Sequence, residues 1–353
     1  GWGIRNFRQM TPRPRPNWHG GVRPGPWYGR KAYAALFTQW INCGVLQPYN
    51  SIGENMTAIS ANGITIEYET LGRAGDTAII LVRGLGSQLI NWPRALLERL
   101  AAEGYFVVIF DNRDAGLSSK FDAAGAIDIP DLMARAEAGE SLDVPYHLED
   151  MAADVIGLMD SLGIEMAHLA GISLGGMVAQ VLAAKHGHRL LSMNSIMSHS
   201  GNPDLPTGDP EARAALMRTV EDPNDREAAV AAAFESSKLL SGPGYPTPDA
   251  DRRRMAERVY DRCYCPDGRT RQRAAVVASG NRVQMLRTIT VPTQVIHGTD
   301  DPLLHIAGGE DTAANIPGAE FRAIAGMGHE TPESLGSNLA DLIGGFARRT
   351  EQS

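Results

Sequence analysis

From residue 56 onward the apolar positions fall into short runs of two kinds, alternating along the chain. Thr57–Ser60 and Ile64–Tyr68 alternate apolar and polar residues around Asn62-Gly63, the signature of a hairpin with a two-residue turn. Thr77–Val82 and Tyr105–Phe110 are nearly continuous apolar runs, as strands covered on both faces require. A helical stretch, Arg94–Leu100, separates them. Leu148, Met151, Ala152, Val155, Ile156, Met159 and Leu162 recur at three- and four-residue spacing and predict an amphipathic helix. Met166–Ala170 reads as the next strand, and Met177, Val178, Val181 and Leu182 begin another helix. Thr293–Ile296 and Glu320–Ile324 read as late strands. A final helix is expected to open at Thr331-Pro332, a capping residue before a proline, and to turn Leu335, Leu339, Leu342, Ile343 and Phe346 inward.

Strands alternating with helices predict an α/β fold with a mainly parallel central sheet and helices on both faces, edged by the antiparallel hairpin. The rhythm stops between about residues 200 and 280, where the text is helical: 212–217, 226–240, 249–261 and 271–279. Such an insert between the sixth and seventh strands is expected to form a lid over the end of the sheet. The expected organisation is an arm over 1–55, a first core part over 56–199, the lid over 200–280, and a second core part over 281–353.

Composition adds to this in one place. The 353 residues are 43% hydrophobic and 21% charged, ordinary for a globular chain. Three cysteines make no disulfide framework, and Cys263 and Cys265 have no second pair to complete a zinc site, so a reducing, cytoplasmic setting is expected. The net charge of −8 argues against nucleic acid as a partner. That charge is unevenly spread. Residues 1–50 hold seven Lys or Arg, no acid, and four of the five tryptophans, whereas the rest of the chain carries a net −15. Prolines break the arm up to about Arg30. Beyond it Tyr33, Leu36, Phe37, Trp40 and Ile41 suit one face of a short amphipathic helix, with the acidic body, a second subunit or an anionic membrane surface as its possible supports. Gln39, Asn42, Gln47, Pro48 and Asn50 argue against a spanning helix.

The chemistry lies at the turns. Gly171–Gly175 (GISLG) follows a predicted strand and opens a predicted helix, the setting in which a serine is held on a strained turn at a helix N-terminus. Ser173 then needs a base, because a free hydroxyl is a poor nucleophile. Of nine histidines, His329 lies between the last strand and the last helix, at the same sheet edge as Ser173. His168 and His297 belong to strands, and His186 and His188 end a helix. His199 and His305 are the rivals. The orienting acid is expected just beyond a strand, in Gly298–Pro302 (GTDDP). Asp301 is preferred because it turns back toward the histidine, with Asp300 as the alternative. The N–H of Leu174 supplies one oxyanion donor, and that of Leu85, in the loop Arg83–Ser87, is expected to supply the other. Trp92, beside that loop, is a candidate substrate-binding residue. Leu239, Leu240, Tyr245, Met255 and Tyr260 could line a pocket or pack the lid. Arg252–Arg254 reads as a solvated helix face.

These motifs resemble the α/β-hydrolase family over about residues 56–349. Gly84–Pro93 (GLGSQLINWP), Phe110–Ser118 (FDNRDAGLS), Leu148–Ala153 (LEDMAA) and Gly171–Met177 (GISLGGM) are similar to its ester-hydrolase branch, which includes aclacinomycin methylesterase. The resemblance implies the same Ser173, Asp301 and His329 triad, a small-molecule ester substrate and no cofactor. One departure stands out, Arg83 where most relatives carry histidine. Serine at the elbow separates the chain from dehalogenase and epoxide-hydrolase relatives. Perhydrolase or haloperoxidase chemistry, lactone opening, C–C bond hydrolysis and a non-catalytic receptor remain as alternatives to an esterase.

Overall fold

The structure, a computed structural model, describes residues 57–218 and 220–352. The arm and its expected helix lie outside the described residues. Eight strands form one sheet: β1 (Thr57–Ala61), β2 (Ile64–Leu71), β3 (Ala78–Val82), β4 (Phe106–Phe110), β5 (Ala167–Ile172), β6 (Leu190–Ile196), β7 (Thr293–Gly298) and β8 (Glu320–Ile324). Their order is β1-β2-β4-β3-β5-β6-β7-β8. β1 and β2 pair antiparallel, β2 runs antiparallel to β4, and the six strands from β4 to β8 pair parallel. In the hairpin turn Asn62 and Gly63 both have positive φ, as the two-residue turn between twisted strands demands.

The helices follow in chain order as α1 (Arg94–Ala102), α2 (Ile129–Glu137), α3 (Leu148–Ser161), α4 (Leu174–His186), α5 (Pro210–Met217), α6 (Arg226–Leu240), α7 (Asp249–Arg262), α8 (Pro266–Ser279), α9 (Val283–Leu286), α10 (Ala307–Asn315) and α11 (Gly336–Glu351). Alternate residues of β3 and β4 divide between two apolar layers. Ile80, Val82, Val108 and Phe110 pack with α3 and α4 on one face. Ile79, Leu81, Val107 and Ile109 pack with α1 and α11 on the other. Burial on both faces is why these strands read as unbroken apolar runs.

Three features escape the apolar rhythm. β6 carries Ser192, Asn194 and Ser195 among its buried residues. Ser192 meets His168, Ser195 accepts from Gln180, and the Asn194 oxygen accepts from Gln294 on β7 at 2.8 Å, so partners on other elements make these polar atoms tolerable inside, while Asn194 Nδ2 is buried without one. The final helix starts later than Thr331-Pro332 predicts. A short 3-10 turn covers Glu333–Leu335 and α11 begins at Gly336. Thr331 takes a bond from Arg83 instead of capping, while the Glu333 carboxylate caps α1 by accepting from the N–H groups of Arg94 and Ala95. Finally, α2 packs Ile129 and Leu132 against Ala274 of α8, so an excursion after β4 braces the helices α5–α9 that occupy the chain between β6 and β7.

Candidate active site

Four loops leave the sheet at the C-terminal ends of β3, β5, β7 and β8, and they converge. The first carries Arg83–Ser87, the second Ser173, the third Asp301 and the fourth His329. Ser173 has φ 54° and ψ −116°, a left-handed backbone that a non-glycine residue holds only under constraint. The constraint is visible in its neighbours. A side chain at Gly171 would strike the Gly175 carbonyl, and one at Gly175 the Val82 carbonyl. The Ser173 N–H is held by the Ile196 carbonyl and the Ser173 carbonyl by the Ser198 hydroxyl, both at 2.9 Å. Although Ser173 precedes α4, its side chain makes no capping bond. The hydroxyl is free to face the histidine.

The Ser173 Oγ lies 3.0 Å from His329 Nε2, and His329 Nδ1 lies 2.7 Å from Asp301 Oδ2. A carboxylate accepts only, so Nδ1 carries the proton and Nε2 presents its lone pair to the serine. The other Asp301 oxygen, Oδ1, accepts from the N–H groups of Leu303 and Leu304, each at 2.9 Å. Burial alone would raise the Asp301 carboxyl. Electrostatic attraction to His329, with hydrogen bonds from His297 and His329, outweighs burial and holds it well below the usual carboxylate range. Asp300 is exposed, accepts from the Gly326 N–H at 3.1 Å and takes no part in this chain of bonds.

His297 enters the site unexpectedly. Its Nε2 lies 2.8 Å from the Leu304 carbonyl and 3.3 Å from Asp301 Oδ2. Both are acceptors, so Nε2 bears the proton, and the ring supports the same Asp301 oxygen that meets His329. His199 and His305 line the cavity but stand outside the Ser173–His329–Asp301 chain. Burial, with Arg282, His297 and His329 nearby, pushes His199 down to about 4, and its Nδ1 accepts from the Gly201 N–H. His168 is buried in β5 against Ser192, as a strand histidine should be.

Leu85 and Leu174 line the same cavity as Ser173. Leu174 is the first residue of α4, so its N–H has no acceptor within the helix. The Leu85 loop is pinned on either side. Asn112 donates to the Arg83 carbonyl at 3.0 Å, Gln272 accepts from the Gly86 N–H at 2.8 Å, and Gly84 approaches Ser173 so closely that a Cβ there would lie 3.3 Å from the serine's. No described residue accepts from the Leu85 N–H. The motif 110–118 thus supports the site without lining it. Its Asp114 also binds Arg271 of α8 through both oxygens, and Arg113 binds Asp154 of α3.

Two cavities meet at His329, of about 530 and 520 Å³. Ser173 and Leu174 face the first and Leu85 lines both; leucine, methionine and valine from the core and from α5, α6 and α8 supply much of the first cavity's apolar wall. Trp92 faces the second, with the guanidinium of Arg83, which lines both, 4.7 Å from the centre of its ring. Leu240 lines both cavities, and Met255 and Tyr260 line the second. Tyr245 packs on the core with its hydroxyl bonded to Asn338. Leu239 lines neither cavity. Arg252 departs from the solvated face expected of residues 252–254. It is buried and paired with Glu330, beside His329, at 2.9 Å, whereas Arg253 and Arg254 pair with acids at the surface. Periodicity could not single out Arg252, since its partner lies 78 residues away.

Among the described residues one group brings three potential metal-ligand side chains together, Asp114, Asp122 and Cys265. Both Asp114 oxygens already accept from Arg271, with Tyr146 and the Phe121 N–H completing their shell, so a cation would have to displace a cation there. No helix among the described residues is long and apolar enough to cross a membrane.

Residues 77–333 match the family described as the alpha/beta hydrolase fold, and the chain belongs to that family, in its ester-hydrolase branch. It is 27% identical over 303 residues to rhodomycin D methylesterase of Streptomyces peucetius, covering 81% of this chain and 95% of the relative. It is 26% identical over 260 residues to 3-oxoadipate enol-lactonase 2 of Acinetobacter baylyi, covering 73% and 84%. A solved meta-cleavage product hydrolase from Pseudomonas fluorescens IP01 shares the fold, with a TM-score of 0.64 at 20% identity over 83% of this chain and 97% of that one.

Proposed function

We propose that the protein is a serine carboxylesterase that hydrolyses small to medium esters through an acyl-enzyme, with Ser173 as nucleophile, His329 as base and Asp301 as its orienting acid. The continuous run from Ser173 Oγ to His329 to Asp301, at 3.0 and 2.7 Å, carries this reading. Relatives named as a methylesterase and an enol-lactonase support ester-bond chemistry, since a lactone is an internal ester.

In the first half-reaction His329 Nε2 takes the serine proton as Oγ bonds to the ester carbonyl carbon. The carbonyl oxygen becomes an anion between the Leu85 and Leu174 N–H groups. Asp301 keeps the proton of Nδ1 in place and stabilises the imidazolium. The C–O bond to the alcohol breaks as His329 returns its proton to the leaving oxygen. Water then adds to the acyl carbon with His329 again as base, releasing the acid and restoring Ser173. Helices α5–α9 act as a lid, and their side chains on the cavity walls set which acyl and alcohol groups fit.

Hydrolysis of p-nitrophenyl esters from acetate to laurate by the wild type and by Ser173→Ala tests this reading. Loss of the nucleophile should lower turnover by about a million-fold. Equal rates in the two proteins would refute the assignment. A folded wild type that turned over none of the series would refute the simple esterase.

A further inference from the structure

The cavity that holds Ser173 is more basic than the body that encloses it. Residues 51–353 carry a net −15. Yet the cavity wall presents three guanidinium groups, Arg83, Arg213 and Arg273, against one carboxylate, Glu330, which is already paired with Arg252. Arg83 is 8% exposed. It donates one hydrogen bond to Thr331 and rests on Trp92, but its Nε is buried without a partner. Burial pushes it down to about 10, and no carboxylate opposes that shift, yet it remains a cation at neutral pH. Arg273, on α8, also buries an Nε without a partner. Burial lowers its affinity for a proton, and the charges of Arg213 and Arg269 lower it further. The guanidinium groups of Arg213, which is exposed, and Arg273, which is half-buried, form no ion pair or hydrogen bond with another described residue.

Burying a cation without a counter-charge, as at Arg83 and in part at Arg273, is unfavourable, and the nearby charge of the exposed Arg213 adds to the penalty at Arg273. A ligand carboxylate would relieve both. It accepts from the forked guanidinium donors in the geometry they present, and the apolar wall formed by Leu85, Met177, Leu205, Leu240, Val276 and Leu303 suits the hydrocarbon that would carry it. We propose that this cavity selects esters bearing a free carboxylate, with Arg83, Arg213 and Arg273 as the cations that receive it. The inference rests on the esterase reading and names its substrate class.

Two matched pairs of esters test it, followed by pH-stat. Monomethyl adipate against methyl hexanoate places the charge on the acyl side, and 4-acetoxybutanoate against butyl acetate places it on the alcohol side. In at least one pair the charged ester should show kcat/KM about tenfold above its neutral partner, equivalent to about 1.4 kcal/mol. Arg273→Gln or Arg83→Met should bring that ratio down at least about fivefold, mainly through KM, and Arg273→Lys should recover part of it. Ratios near one in both pairs, or ratios unchanged by both variants, would overturn the inference while ester hydrolysis itself stood. If no ester is turned over, the esterase reading fails, and calorimetry on Ser173→Ala decides the inference separately. Monomethyl adipate binding about tenfold tighter than methyl hexanoate would support a carboxylate site, and equal binding would overturn it.

Discussion

Asp301→Asn exchanges one oxygen for a nitrogen in the most constrained corner of the site. Oδ1 of Asp301 accepts two backbone N–H groups at 2.9 Å, whereas Oδ2 meets His329 Nδ1 at 2.7 Å and His297 Nε2 at a longer 3.3 Å. An asparagine must choose which end to turn toward the backbone. Turning its NH2 there sets donor against two donors, and leaving buried donors unsatisfied costs about 1–3 kcal/mol each. The amide oxygen therefore stays on the backbone and the NH2 faces His329. Nδ1 must then accept, its proton moves to Nε2, and the ring donates to Ser173 when it should take a proton from it. The same exchange in a serine protease lowers kcat about 10,000-fold for this reason, roughly 5.5 kcal/mol at 1.36 per factor of ten. The assay is kcat on p-nitrophenyl acetate near neutral pH, with thermal unfolding to show that the fold survives. Asp300→Asn, which alters only exposed turn bonds to Thr299 and Gly326, should change kcat by less than about threefold. A fall below about tenfold in a folded Asp301→Asn, or a larger fall in Asp300→Asn, would refute the tautomer argument.

Two further outcomes concern stability. Glu69, buried on β2 with one oxygen unpartnered, is pushed up from 4.5 to about 7, chiefly by burial with Arg262 and Arg94 opposing. Its protonated form suits the fold, so stability is greatest below about 4.5 and declines as pH rises through 7; Glu69→Gln should gain about 1–3 kcal/mol at pH 8, but less at pH 5, by urea unfolding. Equal gains at both pH values would contradict this. Arg271→Leu strands the Asp114 carboxylate in a pair whose side chains are both fully buried, and should lower unfolding free energy by about 3–5 kcal/mol. A loss below about 1 kcal/mol would mean that the pair does not anchor α8 as its geometry implies.

Much of the site was legible because its parts are local. A glycine-flanked serine between a strand and a helix, two aspartates just beyond a strand and a histidine before the last helix each announce themselves within a few residues. The cycle of apolar runs likewise exposes β3, β4 and β5, whose two faces are both covered. β6 was harder, because its buried serines and the oxygen of its asparagine find partners on other strands and helices, and no run of apolar residues marks them.

Sequence alone therefore determined the fold class, the order of nucleophile, acid and base, and their place at one edge of the sheet. Tertiary structure decided which groups support them. His297 props Asp301, Asn112 holds the Arg83 carbonyl, and Gln272 reaches Gly86 across 186 positions of chain. It also buried Arg252 against Glu330 and gathered Arg83, Arg213 and Arg273 around one cavity. The division has a physical cause. Backbone strain and hydrophobic period act over a few residues and leave a trace in any short window. Desolvation and charge act through space, so a guanidinium reads the same in sequence whether water, a carboxylate or an empty cavity awaits it.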